Sequence, residues 1–110
     1  MLTNKVKREI DARLDRIVNE NETFTKYLLA EDDEYIEEKL SAEYGLWYRV
    51  AQIQYEIERN FGRIVCCNTG TAERRRKRAT LKAELLAEEE SLYKKAVEAI
   101  KDYDEFYECA

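Results

Sequence analysis

The side chains with the most reactive potential in this chain are three cysteines, Cys66, Cys67 and Cys109, and two groups of carboxylates, Glu34, Glu37 and Glu38, and Glu88, Glu89 and Glu90. Adjacent thiols ahead of an arginine-rich helix start could be held as thiolates, the nucleophilic and metal-ligating form of cysteine. The plainer reading is that Cys66 and Cys67 are small apolar side chains buried at a turn, and the usual burial of free cysteine favours it. Grouped carboxylates can ligate a hard cation. Consecutive acids on a helix point to different faces, however, so a solvated surface suits these runs better. Histidine is absent, which removes the commonest general base, the usual partner of a nucleophilic Ser or Cys, and the commonest transition-metal ligand. No glycine-rich phosphate loop, Cys-x-x-Cys pair or EF-hand loop occurs. The sequence therefore speaks against an enzyme and calls for no cofactor.

What the chain offers instead is charge sorted by segment, beneath a formal net charge of −5. Residues 31 to 43 carry Glu31, Asp32, Asp33, Glu34, Glu37, Glu38 and Glu43 against Lys39, whereas residues 63 to 82 carry Arg63, Arg74, Arg75, Arg76, Lys77, Arg78 and Lys82 against Glu73. The run Arg74-Arg75-Arg76-Lys77-Arg78 falls in the first turns of a helix, where the dipole disfavours cations and neighbouring positive charges repel one another. Folding alone gives no reason for it. One use is contact with nucleic-acid phosphates, helped by Arg63 and Lys82. The other is neutralisation by Glu73, Glu58 and the acids of a second subunit. At the C-terminus Asp102, Asp104, Glu105 and Glu108 alternate with Tyr103, Phe106 and Tyr107. That mixture suits docking on a basic, partly apolar surface, such as one that normally holds nucleic acid, and a solvated helix end explains it nearly as well.

The elements that position these groups follow from periodicity. From residue 85 an adjacent apolar pair recurs every seven residues: Leu85-Leu86, Leu92-Tyr93, Ala99-Ile100 and Phe106-Tyr107, with Ala96 and Tyr103 between them. An α-helix nearly returns to one face every seven residues, so residues 71 to 108 are expected to form one long helix. A second long helix is expected over 33 to 62, with Ile36, Leu40, Tyr44, Trp47, Val50, Ala51, Gln54, Ile57 and Phe61 as its inner stripe and Gly62 as a left-handed terminator. Residues 63 to 70 then form the connection, with room for a short β-like segment at 64 to 67, and Thr71 caps the last helix. At the N-terminus Val6, Ile10, Leu14, Ile17 and Val18 mark a first helix. Residues 19 to 23 have low helix propensity, yet Phe24 and Leu28 keep the phase of Ile10, Ile17 and Leu14, so both a break and a continuous helix to about residue 29 stay open.

With 110 residues, 39% charged and 45% apolar, no proline and only three glycines, the expected fold is a single all-α domain. It is an elongated, coiled-coil-like antiparallel hairpin of two long helices with the N-terminal helix packed against it. So slender a molecule leaves apolar surface uncovered, and a homodimer is the simplest way to cover it. The chain has no apolar run of the roughly 20 residues a membrane span needs, no signal core and an odd cysteine count, from which a cytoplasmic, membrane-independent protein is expected. The expected function is a non-enzymatic protein-interaction module. It takes the form of a small inhibitor or adaptor whose acidic, tyrosine-bearing helix faces dock on a nucleic-acid-processing protein. The alternative is phosphate-backbone binding through residues 74 to 78. Candidate partner-binding residues are Arg74, Arg75, Arg76, Lys77 and Arg78, the acidic Glu34, Glu37 and Glu38, and Tyr103, Asp104, Phe106 and Tyr107.

Overall fold

The computed structural model describes residues 2–29 and 42–108, and these are helical apart from caps and one turn. Their helices are α1 (Asn4–Glu20), α2 (Glu22–Leu29), α3 (Ala42–Cys67), α4 (Ala72–Lys77) and α5 (Ala79–Glu108). The expected start of the second long helix, its residues Ile36 and Leu40, the acidic group Glu34, Glu37 and Glu38, and Cys109 lie outside the described residues.

The expected all-α hairpin is present: α3 and α5 pack against each other, and α1 lies against both. Along α3 the buried residues Val50, Ile53, Ile57, Asn60, Ile64 and Cys67 alternate three- and four-residue steps, the spacing that keeps a seam facing a neighbouring helix. Along α5 the buried residues are Leu85, Leu92, Tyr93, Ala96 and Ala99. The doubled apolar positions have separate tasks. Leu92 and Ala99 fall on the seam with Ala96, while Tyr93 and Ile100, one position later, reach the cluster shared with Ile10, Leu14 and Ile17 of α1. Trp47 is wholly buried; its ring meets Phe24 and Tyr44 at centroid distances of 5.6 and 5.8 Å, and its indole Nε1 donates to the Val18 carbonyl at 3.4 Å.

Polar pairs set the direction of α1. Lys7 is ion-paired with Glu89, the Tyr93 hydroxyl donates to Asp11, and the Asn21 amide donates to the Tyr103 hydroxyl at 3.0 Å. Position numbers rise together, so α1 runs parallel to α5. Against α3 they run oppositely, Asp15 to Gln54 and Val18 to Trp47. With Lys7 beside Glu89 and Asp11 beside Tyr93, α1 starts at about the level of Leu86 and leaves the last turns of the hairpin tip beyond it. Among the described residues, the part nearest the turn is two helices thick. The molecule measures 52 × 31 × 18 Å with a radius of gyration of 16.8 Å, against about 13 Å for a compact domain of this length.

Four expectations change. The second helix does not stop at Gly62 but continues to Cys67, so residues 63 to 67 are neither connection nor β-like. Ile64 and Cys67 keep the seam's phase and form a second buried cluster with Leu85, and that burial outweighs the roughly 1 kcal/mol cost of an interior glycine. The left-handed residue is Gly70, at φ 94°, in the turn that ends at the Thr71 cap, whose side chain accepts from the Arg74 amide. Phe61, expected on the inner stripe, is 62% exposed. The stripe Trp47-Gln54-Phe61 faces α1 rather than α5, and Phe61 lines an open cavity with Asp11 and Asp15 of α1 instead of being buried beneath that helix. Finally, the last helix is interrupted at Arg78. Of the two alternatives left open for residues 19 to 23, the chain adopts a break, at the single residue Asn21. Asn21 donates to the Ile17 carbonyl at 2.8 Å, satisfying an otherwise unpaired acceptor at the helix end, and Phe24 still reaches the core.

These placements fix two stability outcomes. Trp47→Ala is expected to lower unfolding free energy by about 3–5 kcal/mol. Gly62→Ala is expected to raise it by about 0.5–1 kcal/mol, because Gly62 is helical and an added Cβ meets nothing within 4 Å. Urea unfolding followed by far-UV circular dichroism checks both, and a destabilised Gly62→Ala would contradict the continuous α3.

Candidate interaction surface

The basic run sits at the tip of the hairpin, where α3 ends and α4 and α5 begin. Its five members are not equivalent. Arg78, half-buried, reaches across the turn, and its guanidinium Nη1 donates to the Cys66 carbonyl at 3.0 Å, placing positive charge where the C-terminal end of α3 is partially negative. Sequence reasoning missed this fold-supporting role, because it depends on a contact 12 residues away in the chain. Lys77 pairs loosely with Glu73 at 3.4 Å, and the Arg76 Nε donates to the Ala72 carbonyl at 3.4 Å. Arg74, Arg75 and Arg76 are exposed, and no carboxylate among the described residues forms a salt bridge with them. Beside them runs an open groove of about 860 Å³, floored by Cys67, Ala72, Ala79, Ala83 and Leu86 and edged by Arg75, Arg76 and Lys82. Cys67 is buried with Ile64 and Leu85, whereas Cys66 is exposed. The buried-hydrophobe reading thus fits one thiol of the pair.

A second cavity, of about 360 Å³, opens where α1 crosses the hairpin. Ile57, Phe61 and Tyr93 line its apolar side, and Asp11, Asp15, Glu58 and Glu89 line the rest. The Tyr93 hydroxyl donates to both Asp11 carboxylate oxygens, at 2.9 and 3.0 Å. Burial, then this hydrogen bond, then the negative charges of Asp11 and Glu89 push the Tyr93 phenol well above its usual 10. The groove and the cavity share one face: Lys82 and Leu86 stand seven residues before Glu89 and Tyr93 on the same helix.

The acidic, aromatic end lies at the opposite extremity, and most of its groups are engaged within the chain. Asp104 is paired with Arg13, and Asp102 with Arg49 at 2.6 Å. The Tyr107 hydroxyl donates to Glu43, and the rings of Tyr103 and Tyr107 lie 4.7 Å apart. Phe106 and part of Tyr107 remain exposed. The helix continues to Glu108, and Glu105, Phe106, Tyr107 and Glu108 are exposed along it. The consecutive acids Glu88, Glu89 and Glu90 point apart, as expected, with Glu89 turned in towards Lys7. Among the described residues no group of three or more Cys, Asp or Glu is placed to hold a metal ion, and no helix is long and apolar enough to cross a membrane. No protein-family model matches the chain, and no curated protein or solved structure does either.

Tyr93 yields a pH outcome. Its folded-state pKa lies above the unfolded value of 10, so the native state holds the phenolic proton more tightly. The stabilisation is complete below pH 10 and is lost as pH rises past 10 towards the folded pKa. Absorbance titration at alkaline pH is expected to show a late phenolate step coincident with loss of helical dichroism, smaller by one phenol in Tyr93→Phe. A Tyr93 that ionises with the helices intact would contradict the buried pairing.

Proposed function

We propose that this chain is a non-enzymatic protein-interaction module, acting in the cytoplasm, that docks through the exposed apolar residues of its hairpin towards the tip. One observation carries the reading. The heptad places that α1 covers at Tyr93 and Ile100 continue towards the tip as Leu86 and Ala79, and Gln54 continues as Phe61. There, Leu86 is 46% and Phe61 62% exposed, with Val65 and Leu81 exposed nearby. An apolar helix face of this kind, edged by arginine, is the usual anatomy of a docking site for another helix. The exposed aromatics Tyr48, Tyr55, Phe106 and Tyr107, set among acids, support a second contact region at the other extremity. They are compatible with an adaptor or inhibitor that meets a basic surface such as that of a nucleic-acid-processing protein. Self-association is part of the same reading, because one end of the molecule is basic and the other acidic.

Phosphate-backbone binding is the second reading, favoured by Arg74, Arg75 and Arg76, which lack salt-bridge partners among the described residues. Binding of mixed-sequence DNA and RNA across a salt series separates the two. Three phosphate contacts imply affinity that falls roughly 40-fold between about 50 and 200 mM salt and disappears when Arg74, Arg75 and Arg76 become Gln. Under the docking reading no such binding occurs. Affinity for a protein partner then falls at least about tenfold in Leu86→Glu, by loss of apolar contact and burial of a charge.

A further inference from the structure

Deepening that docking reading, we propose that this exposed apolar surface is covered by a second copy of this chain. The two copies are related by a two-fold axis that sets the basic groove of each against the acidic cavity of the other. Three features of the surface lead here. The first is self-complementarity: Arg75, Arg76 and Lys82 edge the groove, while Asp15 and Glu58, which form no salt bridge among the described residues, line the cavity. Both openings lie on one face, about 10 Å apart along α5 at 1.5 Å per residue. An axis passing between them, close to Phe61 and Leu86, brings opposite charges together twice, as an isologous interface requires.

The second feature is the apolar centre. Phe61 lines the cavity and Leu86 the groove, and both are largely open to water despite standing at heptad places that are covered elsewhere along the hairpin. Around the axis they would meet their symmetry mates, giving an apolar middle within a charged rim, the ordinary composition of a specific interface.

The third is area and charge. The chain exposes 8007 Å², against about 6,400 Å² for a compact monomer of its mass. The surplus of about 1,600 Å² is twice the roughly 800 Å² each partner contributes to a standard interface. A parallel arrangement would set one arginine-rich tip against the other. The antiparallel arrangement sets each tip beside acids, which neutralises the cluster that folding alone does not explain.

Charge reversal tests the arrangement, with sedimentation equilibrium reading mass and circular dichroism confirming helix content. All four substituted positions, Arg75, Arg76, Asp15 and Glu58, are exposed, so folding is not at stake. The unsubstituted chain is expected to be a dimer that weakens with salt. The Arg75→Glu, Arg76→Glu double variant and the Asp15→Arg, Glu58→Arg double variant are each expected to be monomeric, with dissociation constants raised at least about 100-fold. Mixed one to one, they should associate again, because one contact is then charge-reversed on both sides and the other is native. An unsubstituted chain that is monomeric at all concentrations overturns the proposal. So do double variants that remain dimeric alone, or a mixture that does not recover the dimer. A monomeric chain that still binds a protein through Leu86 overturns only the two-fold arrangement and leaves the docking reading standing, whereas a monomer insensitive at Leu86 removes both.

Discussion

The α3–α5 seam is the contact on which the rest of the molecule depends. Its strength comes from phase: three- and four-residue steps on both helices keep Val50, Ile53, Ile57 and Ile64 turned towards Leu85, Leu92, Ala96 and Ala99 over several turns. The two alanines are fully buried, and side chains that small let large neighbours such as Trp47 share the same layer without strain. One polar residue interrupts the seam. Asn60 is 4% exposed and donates through Nδ2 to the Leu85 carbonyl at 3.0 Å, while its Oδ1 has no hydrogen-bond partner. A buried acceptor left without a partner costs on the order of 1–3 kcal/mol. The bond from Nδ2 is a polar tie across an otherwise apolar seam. The register of the seam follows from the apolar phase of the two helices, and with it the places of the tip and the cavity.

Given that seam, the surface is shaped by a mismatch of lengths. The hairpin extends past the start of α1, and its sequence does not change character where the cover ends: Leu86 is as apolar as the buried Leu92, and Phe61 is larger than Ile57. A chain selected only to be a stable monomer would place polar residues there. The charged groups follow the same division. Near α1, acids and bases are largely paired within the chain, through Lys7 with Glu89, Arg13 with Asp104 and Arg49 with Asp102. At the tip Arg78 is used by the fold, and Arg74, Arg75 and Arg76 are turned outwards. Between these two groups, Asp15 and Glu58 at the cavity carry negative charge with no salt bridge among the described residues.

The long seven-residue repeat was legible because it survives in sequence as doubled apolar positions, and doubling is what a helix needs when it touches two neighbours. The fold class and the direction of the hairpin follow from it. The end of α3 was not legible: Gly62 followed by Arg63 has the local signature of a helix terminus, and only the tertiary contacts of Ile64 and Cys67 override it. The inner stripe of α3 was half legible, since Trp47-Gln54-Phe61 and Ile53-Asn60-Cys67 are two adjacent faces serving different partners. Periodicity alone does not say which partner is short. For the site, the basic cluster was visible in composition. That Arg78 belongs to the fold, that Asp104 and Tyr107 are occupied within the chain, and that an acid-lined cavity lies a heptad from the basic groove all depend on which helices become neighbours.

The turn at Gly70 has a bearing on how the chain reaches this shape. Contacts across it join residues close in sequence, such as Ile64 with Leu85, so the entropy lost in closing that loop is small. The pairs that seat α1 on α5, Lys7 with Glu89 and Asp11 with Tyr93, lie 82 positions apart. A local zipper starting at the tip should therefore close first and present a preformed track to α1, the order that contact separation imposes on folding rates. The apolar surface around Phe61 and Leu86 would then be made early, before α1 is seated, so the hairpin passes through a stage in which its α1-facing side is open to solvent.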